Sequence, residues 1–359
     1  MFILAEMFVI DGSQGEGGGQ VLRASLSLAA VTGRPFRLEK IRARRSKPGL
    51  RPQHLTAVRA VAALCQADLK GAELDSTTLE FRPGSPPHGG DYFFDVSDAA
   101  QGGSAGATTL ILQAILWPLL CADGPSHVTL RGGTHVPFSP PYHYLAEVAR
   151  PAFGRLGATF ATELRAWGWY PQGGGVITAT IEPVGHLQAA TFERVAADTV
   201  EGVAAVTNLP AHIPHRMARR AHNLLEEAGF TPAVAPLRER GVGPGAGIVL
   251  WLPQAGFSSL GRVGLPADKV AEAAVNDLLA FWRDKKAAVD FHLADQLLLP
   301  MALAQGISSF TTNRLTQHTL TNVALLTQWL NVSITVDGRL DAPGRVVVNG
   351  IGLGRGLGD

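Results

Sequence analysis

Cysteine and charge are both scarce in this chain of 359 residues, and each scarcity narrows what the protein can be. Only Cys65 and Cys121 occur, both within apolar helical patterns, so we expect buried thiols in a reducing compartment rather than a disulfide framework. Charged residues make up 17% of the chain and the net charge is +1, so a nucleic-acid partner would have to be held by a local basic patch.

Long apolar runs and targeting signals are also lacking. The longest apolar helical stretch, residues 108–121, is short for a bilayer span and contains Gln113 and Pro118. The first ten residues have no basic start and no small-residue cleavage site, so no signal peptide is predicted. These observations predict a cytoplasmic protein without a membrane partner.

Apolar residues and glycine are plentiful. The hydrophobic content is 46% and there are 41 glycines, which together are typical of a large core joined by tight turns. The length favours about two domains, since domains average ~150 residues.

An internal repeat organises most of the chain. Three segments each contain an apolar helix followed by a second helix and a strand candidate. The helix pairs are predicted at 20–31 and 52–66, at 107–120 and 141–156, and at 294–304 and 317–330. His54, His143 and His318 occupy equivalent positions near the start of the second helices.

The segment 187–285 does not follow the repeat pattern. It has strand candidates at 191–196 and 247–252 and predicted helices at 215–228 and 267–283. We predict an α/β (α+β) protein whose large domain, residues 1–186 and 286–359, is interrupted by a smaller inserted α/β domain, residues 187–285.

Two segments of the first repeat suit phosphate binding. The glycine-rich loop 11–20 links a strand to a helix, where backbone N–H groups attract anions, and Glu16 within it suits a metal or a substrate hydroxyl. The stretch 34–51 carries eight basic residues against one acid, and arginine forks match phosphate oxygens. The alternative for the loop is a plain tight turn. The alternative for the basic stretch is a solvated strand face and loop.

Two further segments lie in the third repeat. The segment His292–Gln296 could contact a nucleotide, although Asp295 could equally cap a helix. His318 stands near a helix start, where the imidazolium is disfavoured, and a neutral imidazole beside a phosphate is a competent nucleophile. A purely structural histidine is the alternative. The cysteine and histidine spacings predict no zinc site.

These segments, in this order and over nearly the whole chain, resemble the RNA 3′-terminal phosphate cyclase family. The matching strings are 11–20, 41–45, 47–50, Gln53-His54, Leu112-Gln113, 132–134, 292–296 and 318–322. The resemblance implies three βαβαββ-like repeats with a small inserted domain. It also implies ATP and a divalent cation, Mg²⁺ or Mn²⁺, as cofactors and an RNA with a 3′-phosphate end as partner.

The implied reaction has three steps. His318 becomes adenylylated by ATP, the AMP passes to the RNA 3′-phosphate, and the vicinal 2′-OH attacks to form a 2′,3′-cyclic phosphate. The resemblance places the ATP or AMP site at Gln113, His292, Leu293, Ala294, Asp295, Gln296 and Glu16, with Glu16 also near the metal. It places the RNA terminus at Arg23, Arg42, Arg45, Gln53 and His54.

Some residues depart from the family pattern. Residues 104–107 read Ser-Ala-Gly-Ala where Thr-Ala-Gly-Ser is common, His135 stands where Asn is usual, and His143 stands where Asp is usual. Two alternatives remain: a catalytically silent relative that acts as a binding protein, which would lack His318, and an enolpyruvyl-type transferase, which would need a longer chain of six repeats.

Overall fold

Sixteen strands form four sheets of four strands within residues 6–100 and 103–352, which are the residues that this computed structural model describes. The strands are β1 (Phe8–Asp11), β2 (Phe36–Glu39), β3 (Asp68–Lys70), β4 (Leu79–Arg82), β5 (Gly90–Asp95), β6 (Ser126–Gly132), β7 (Phe160–Ala166), β8 (Gly175–Ile181), β9 (Thr191–Phe192), β10 (Thr199–Thr207), β11 (Thr231–Glu239), β12 (Gly245–Leu252), β13 (Ala255–Leu260), β14 (Gln305–Thr312), β15 (Ser333–Gly338) and β16 (Gly344–Ile351). The α-helices are α1 (Gly19–Thr32), α2 (Pro52–Cys65), α3 (Thr108–Leu120), α4 (Tyr142–Tyr144), α5 (Arg150–Gly154), α6 (His212–Glu227), α7 (Ala267–Arg283), α8 (Phe291–Leu303) and α9 (Gln317–Trp329).

Three sheets share one construction. Their strand orders are β1-β2-β4-β3, β5-β6-β8-β7 and β9-β14-β16-β15. In each, the first two strands in chain order are parallel and the remaining pairs are antiparallel. Parallel strands need a long crossover connection. In each of these sheets the last element of that connection is an apolar helix, α1, α3 or α8. The mixed α/β class predicted from the sequence is confirmed.

Helix α3 shows why these units pack together. Every residue of α3 except Gln113 is buried, which is typical of a helix enclosed by other helices. One hydrophobic core contains residues from all three units, including Leu22, Ile115 and Leu326. The helices therefore share an interior, and a polar residue such as Gln113 stands out within it.

The fourth sheet, β11-β10-β12-β13, has a separate core with α6 and α7. The predicted strand 191–196 is only Thr191–Phe192, and it pairs with β14 of the third sheet. The range 187–285 thus includes a strand of another sheet, and the domain boundaries stay a prediction. A cluster that includes Trp167 and Val203 joins the fourth sheet to the second unit.

The helix predicted at 141–156 is interrupted. A π-helical turn, Leu145–Ala149, separates α4 from α5. Pro151 has no N–H to donate to the carbonyl four residues earlier, so a wider turn relieves the missing bond.

The expectation of two buried thiols is met by one of the two cysteines. Cys65 is buried, and burial raises the pKa of its thiol to about 12. Cys121 is half-buried, and neither cysteine forms a disulfide within the described ranges. In those ranges, no helix combines the length and apolar character that crossing a membrane requires.

Candidate active site

The glycine-rich loop leads into the N-terminus of α1 and lies against α9. Gly15 and Gly17 have positive φ angles of 59° and 62°, which glycine adopts most readily. A Cβ on Gly15 would collide with Thr321 of α9, whose Oγ1 also accepts a hydrogen bond from the N–H of Glu16 at 3.3 Å. The absence of a side chain at Gly15 therefore lets the loop approach α9 closely enough to bring Glu16 to His318.

His318 is the second residue of α9 and is held by two side chains from the loop and α1. Its Nδ1 is hydrogen-bonded to Oε1 of Gln20, and its Nε2 lies 2.6 Å from Oε2 of Glu16. A contact of 2.6 Å between Nε2 and a carboxylate oxygen requires a proton between them. With Nδ1 donating to the Gln20 oxygen, Nε2 therefore presents a lone pair only once Glu16 has moved away. Burial lowers the pKa of His318, and the nearby carboxylate of Glu16 opposes this effect.

The cap of α9 orients this histidine. Thr316 is the N-cap residue, and its Oγ1 accepts a hydrogen bond from the N–H of Thr319 at 3.1 Å. Both Thr316 and Thr319 donate their hydroxyls to Oδ1 of Asp295, the first at 3.1 Å. Asp295 thus lies behind the start of α9, and burial raises its pKa to about 7.

The basic stretch supplies two arginines to the glycine-rich loop. Arg45 pairs with Oε1 of Glu16, and Arg44 donates to the carbonyl of Gly15 at 2.8 Å. Arg42 instead donates to the carbonyls of Lys47 at 2.7 Å and Gly49 at 3.0 Å. Arg45 is therefore next to the histidine–glutamate pair, whereas Arg42 closes its own loop.

Arg23 and His54 flank the first residue of α1. A Cβ on Gly19 would contact the His54 ring and would lie 3.1 Å from Nη1 of Arg23. Burial lowers the pKa of Arg23 to about 10, so it keeps its charge at neutral pH, and lowers that of His54 to about 3. A charged guanidinium, a neutral imidazole and a helix N-terminus together suit a phosphate.

Gln53 connects α2 to α3. Its Oε1 accepts a hydrogen bond from the N–H of Ala107, the N-cap residue of α3, at 3.1 Å. A Cβ on Gly106 would lie 2.8 Å from the Cβ of Gln53, so the glycine permits this contact. Gln53 therefore joins the first and second units beside the predicted RNA site.

The start of α8 brings the predicted nucleotide residues to α3. Gln113 donates to Oε1 of Gln296 at 2.8 Å, and Gln296 donates to the carbonyl of His292 at 3.2 Å. Burial lowers the pKa of His292 to about 4, which keeps its ring neutral. Leu293 and Ala294 are fully buried in the main core, so they could act on a nucleotide only by supporting the start of α8.

The structure also assigns contacts to residues that sequence reasoning did not single out as site residues. Gln20 and Thr321 lie within the strings that carry the family resemblance, which was the available signal. Arg44 is one basic residue among many in its stretch, so only its contact with Gly15 distinguishes it.

Glu16 is the residue at which the sequence predicts a divalent cation. No group of three or more His, Cys, Asp or Glu side chains in the described ranges could hold a metal ion. One carboxylate nevertheless fits a Mg²⁺-like ion, because such ions are often held by one or two carboxylates together with substrate phosphates.

His135 and His143 form a second histidine group between the second unit and the fourth sheet. His135 Nε2 lies 2.9 Å from His143 Nδ1, and Trp167 stacks on His135 with ring centroids 4.4 Å apart. Trp251 of β12 stacks on His143 at 6.3 Å. Burial lowers the pKa of His143 to about 4 and that of His135 well below its usual value, so both rings are neutral at pH 7.

We expect acid to weaken the fold through this pair. An unfolded histidine binds its proton below pH ~6.5, whereas folded His143 does so only near pH 4, so stability is lost as the pH falls between these values. For His143 alone the loss by pH 5 is about 2 kcal/mol. Urea unfolding at pH 7.5 and pH 5.0 measures it. His143→Gln should lose less over this interval than the wild type, and an equal loss would contradict the assignment.

The strand order of three similar units defines an α/β protein, in which His318 lies among the charged side chains of Glu16, Arg23 and Arg45. The sequence profile described as RNA 3′-terminal phosphate cyclase matches residues 14–336. The chain belongs to this family.

Relatives named RNA 3′-terminal phosphate cyclase are similar over almost their whole length. That of Gloeothece citriformis is 50% identical over 341 residues, which cover 93% of this chain and 97% of the relative. That of Trichormus variabilis is 52% identical, covering 92% of this chain and 96% of the relative. That of Pyrobaculum aerophilum is 39% identical, covering 96% and 99%.

Among solved structures, the enolpyruvyl transferase NikO from Streptomyces tendae is similar at a TM-score of 0.35 and 14% identity. The match covers 97% of this chain and 50% of that chain. A likeness of this size supports no argument about fold or function.

Proposed function

We propose that this protein uses ATP to convert an RNA 3′-terminal phosphate into a 2′,3′-cyclic phosphate, with His318 as the nucleophile. The observation that carries the proposal is the imidazole of His318, held between Gln20 and Glu16 at the start of α9. Membership of the family and the names of relatives that are about half identical support the same reaction.

In the first step, Nε2 of His318 attacks the α-phosphorus of ATP. A P–N bond forms and pyrophosphate leaves. The carboxylate of Glu16 must first move away from Nε2. Its ion pair with Arg45 would then hold the carboxylate nearby but turned away from the histidine. The hydrogen bond from Nδ1 to Gln20 holds the ring in orientation while Nε2 reacts.

In the second step, an oxygen of the RNA 3′-phosphate attacks the phosphorus of the histidine adenylate, and the P–N bond breaks to leave RNA-(3′)pp(5′)A. The charged Arg23 and the N-terminus of α1 would hold the RNA phosphate. In the third step, the vicinal 2′-OH loses its proton, attacks the 3′-phosphorus and expels AMP.

The nucleotide would lie at the start of α8, where Gln113, Gln296 and His292 meet. Leu293 and Ala294 would support this pocket from the core, and Asp295 would act from behind α9. Arg45, Gln53 and His54 would complete the RNA site, with Arg42 shaping its loop. A divalent cation, when bound at Glu16, would neutralise phosphate charge.

The test is cyclisation of an oligoribonucleotide with a 3′-phosphate, in the presence of ATP and Mg²⁺ or Mn²⁺. The 3′ end should become resistant to phosphatase. A matched oligonucleotide with a terminal 2′-deoxyribose lacks the attacking hydroxyl, so it should stop at the adenylylated end. An RNA end that stays phosphatase-sensitive with both cations would refute the cyclase activity.

A further inference from the structure

The hairpin that joins β12 to β13 reaches from the fourth sheet into the third unit. Its turn residue, Gln254, has a φ of 65° and is 9% exposed. The amide nitrogen of Gln254 donates to the carbonyls of Glu193 at 2.9 Å and Ala288 at 3.1 Å. Its amide oxygen accepts a hydrogen bond from Arg155. The hairpin tip is thus anchored immediately before the helix α8.

The buried carboxylate of Asp290 joins this hairpin to α8. Asp290 is the N-cap residue of α8, and Oδ1 accepts from the N–H groups of His292 at 2.7 Å and Leu293 at 3.0 Å. Oδ2 accepts from the N–H of Gly256 in β13 at 2.9 Å. The hydroxyl of Tyr144, in α4, donates to the same carboxylate at 2.9 Å. Three parts of the chain therefore meet at one side chain.

These bonds exceed what a helix cap needs. Two of the donors belong to α8 and satisfy its free N–H groups, as any capping aspartate would do. The other two belong to the fourth sheet and the second unit. Gly256 suits this close junction, since a Cβ there would lie 2.6 Å from the ring of Tyr144.

The first turns of α8 carry the groups assigned to the nucleotide. His292 lies two residues after the N-cap Asp290, and Gln296 bonds to the carbonyl of His292 and to Gln113. Asp295, one residue earlier than Gln296, receives the hydroxyls at the start of α9, which carries His318. A displacement of the start of α8 would consequently reach both the nucleotide pocket and the nucleophile.

We propose that Asp290 is a positioning residue through which the β12–β13 hairpin holds the start of α8 in the geometry that binds ATP. The fourth sheet would thereby act on nucleotide affinity without contacting the nucleotide. This inference rests on the proposed function, since that function places ATP at the start of α8.

The first test is Asp290→Asn, which keeps the side-chain shape and the capping ability but exchanges one acceptor oxygen for an NH₂ group. That group cannot accept the N–H of Gly256. We expect the KM for ATP in self-adenylylation to rise five- to twentyfold, with kcat changed less than twofold. Calorimetric titration of ATP into His318→Ala and into His318→Ala/Asp290→Asn should show the same loss of affinity.

A matched control comes from the fourth sheet. Thr207 is buried in β10, and its hydroxyl donates to the carbonyl of Gly243 at 2.7 Å. Thr207→Val should lower the melting temperature without altering the KM for ATP. An Asp290→Asn enzyme that melts earlier but keeps the wild-type KM and ATP affinity would show a structural cap only and would overturn the inference.

A double-mutant cycle tests the connection to the hairpin. Gln254→Ala removes the anchor of the hairpin and should also raise the KM for ATP. If the hairpin acts through Asp290, the KM for ATP of the double variant should be no higher than that of Asp290→Asn alone. A KM raised by the product of the two single effects would show that the hairpin acts independently of Asp290. Failure of the proposed function would give a different result. The wild type would form no adenylate, while calorimetric titration of ATP into the His318→Ala variants would still measure the effect of Asp290 on ATP binding.

Discussion

The His318→Ala variant is expected to take up no label when mixed with α-labelled ATP and a divalent cation in the absence of RNA. The wild type should become covalently labelled, because its Nε2 is the atom that forms the P–N bond. The linkage should be labile to acid and stable to alkali, as a phosphoramidate is. Gel separation of labelled protein before and after acid treatment measures both properties.

His54→Gln is the matched control for this experiment. His54 has the equivalent position at the start of α2, and its ring is buried and neutral. Since it lies beside the predicted RNA site, the variant should keep the label and lose RNA cyclisation. A label that persists in His318→Ala would place the nucleophile elsewhere, and an unlabelled wild type with both Mg²⁺ and Mn²⁺ would rule out the adenylate.

Arg23→Met is expected to make the protein more stable and far less active. The guanidinium of Arg23 has no hydrogen bond or ion pair to any side chain or carbonyl of residues 6–100 and 103–352. The residue is half-buried, and this burial lowers its pKa. Removing a poorly solvated, unpaired charge should raise the free energy of unfolding by about 1 to 3 kcal/mol. Loss of the cation for the RNA phosphate should reduce cyclisation by roughly 100-fold or more.

Urea unfolding and the cyclisation assay measure the two effects on one preparation. Arg59→Met is the control, because Arg59 is an exposed arginine on the neighbouring helix α2. It should shift stability by less than about 0.5 kcal/mol and leave cyclisation unchanged. If Arg23→Met is destabilised and remains active, the guanidinium has a packing role instead of a phosphate-binding one.

The helices could be predicted well because their burial pattern is local. The predicted helix 52–66 is α2, Pro52–Cys65, and the predicted helix 267–283 is α7, Ala267–Arg283. Apolar spacing indicates both helices, and Pro52 in the first turn also marks the start of α2. The π-helical turn at Leu145–Ala149 was not predicted, because it depends on how the chain accommodates Pro151 within a packed interior.

Strand partners were less predictable. The two-residue strand Thr191–Phe192 belongs with β14, more than a hundred residues later, and no local pattern indicates that pairing. Hydrogen bonds between strands are chosen by the packing of whole units, so a short strand takes its sheet from its surroundings.

The three histidines at equivalent repeat positions show the same limit of prediction from local sequence. His54, His143 and His318 have one position in the repeat, and their local sequences alone do not separate their roles. His143 lies among tryptophans, His54 lies beside Arg23 and the start of α1, and His318 contacts Glu16 and Gln20. The repeat position does not distinguish the three rings, whereas their surroundings in the folded chain do.

The sequence by itself determined the α/β class and the family, because periodicity and ordered motifs are properties of the chain. The tertiary structure alone decided that Gln20 orients His318 from 298 positions away, and that Asp290 joins three distant segments. Those relationships depend on helices converging in a shared core, and contacts between residues so far apart exist only once that core has formed.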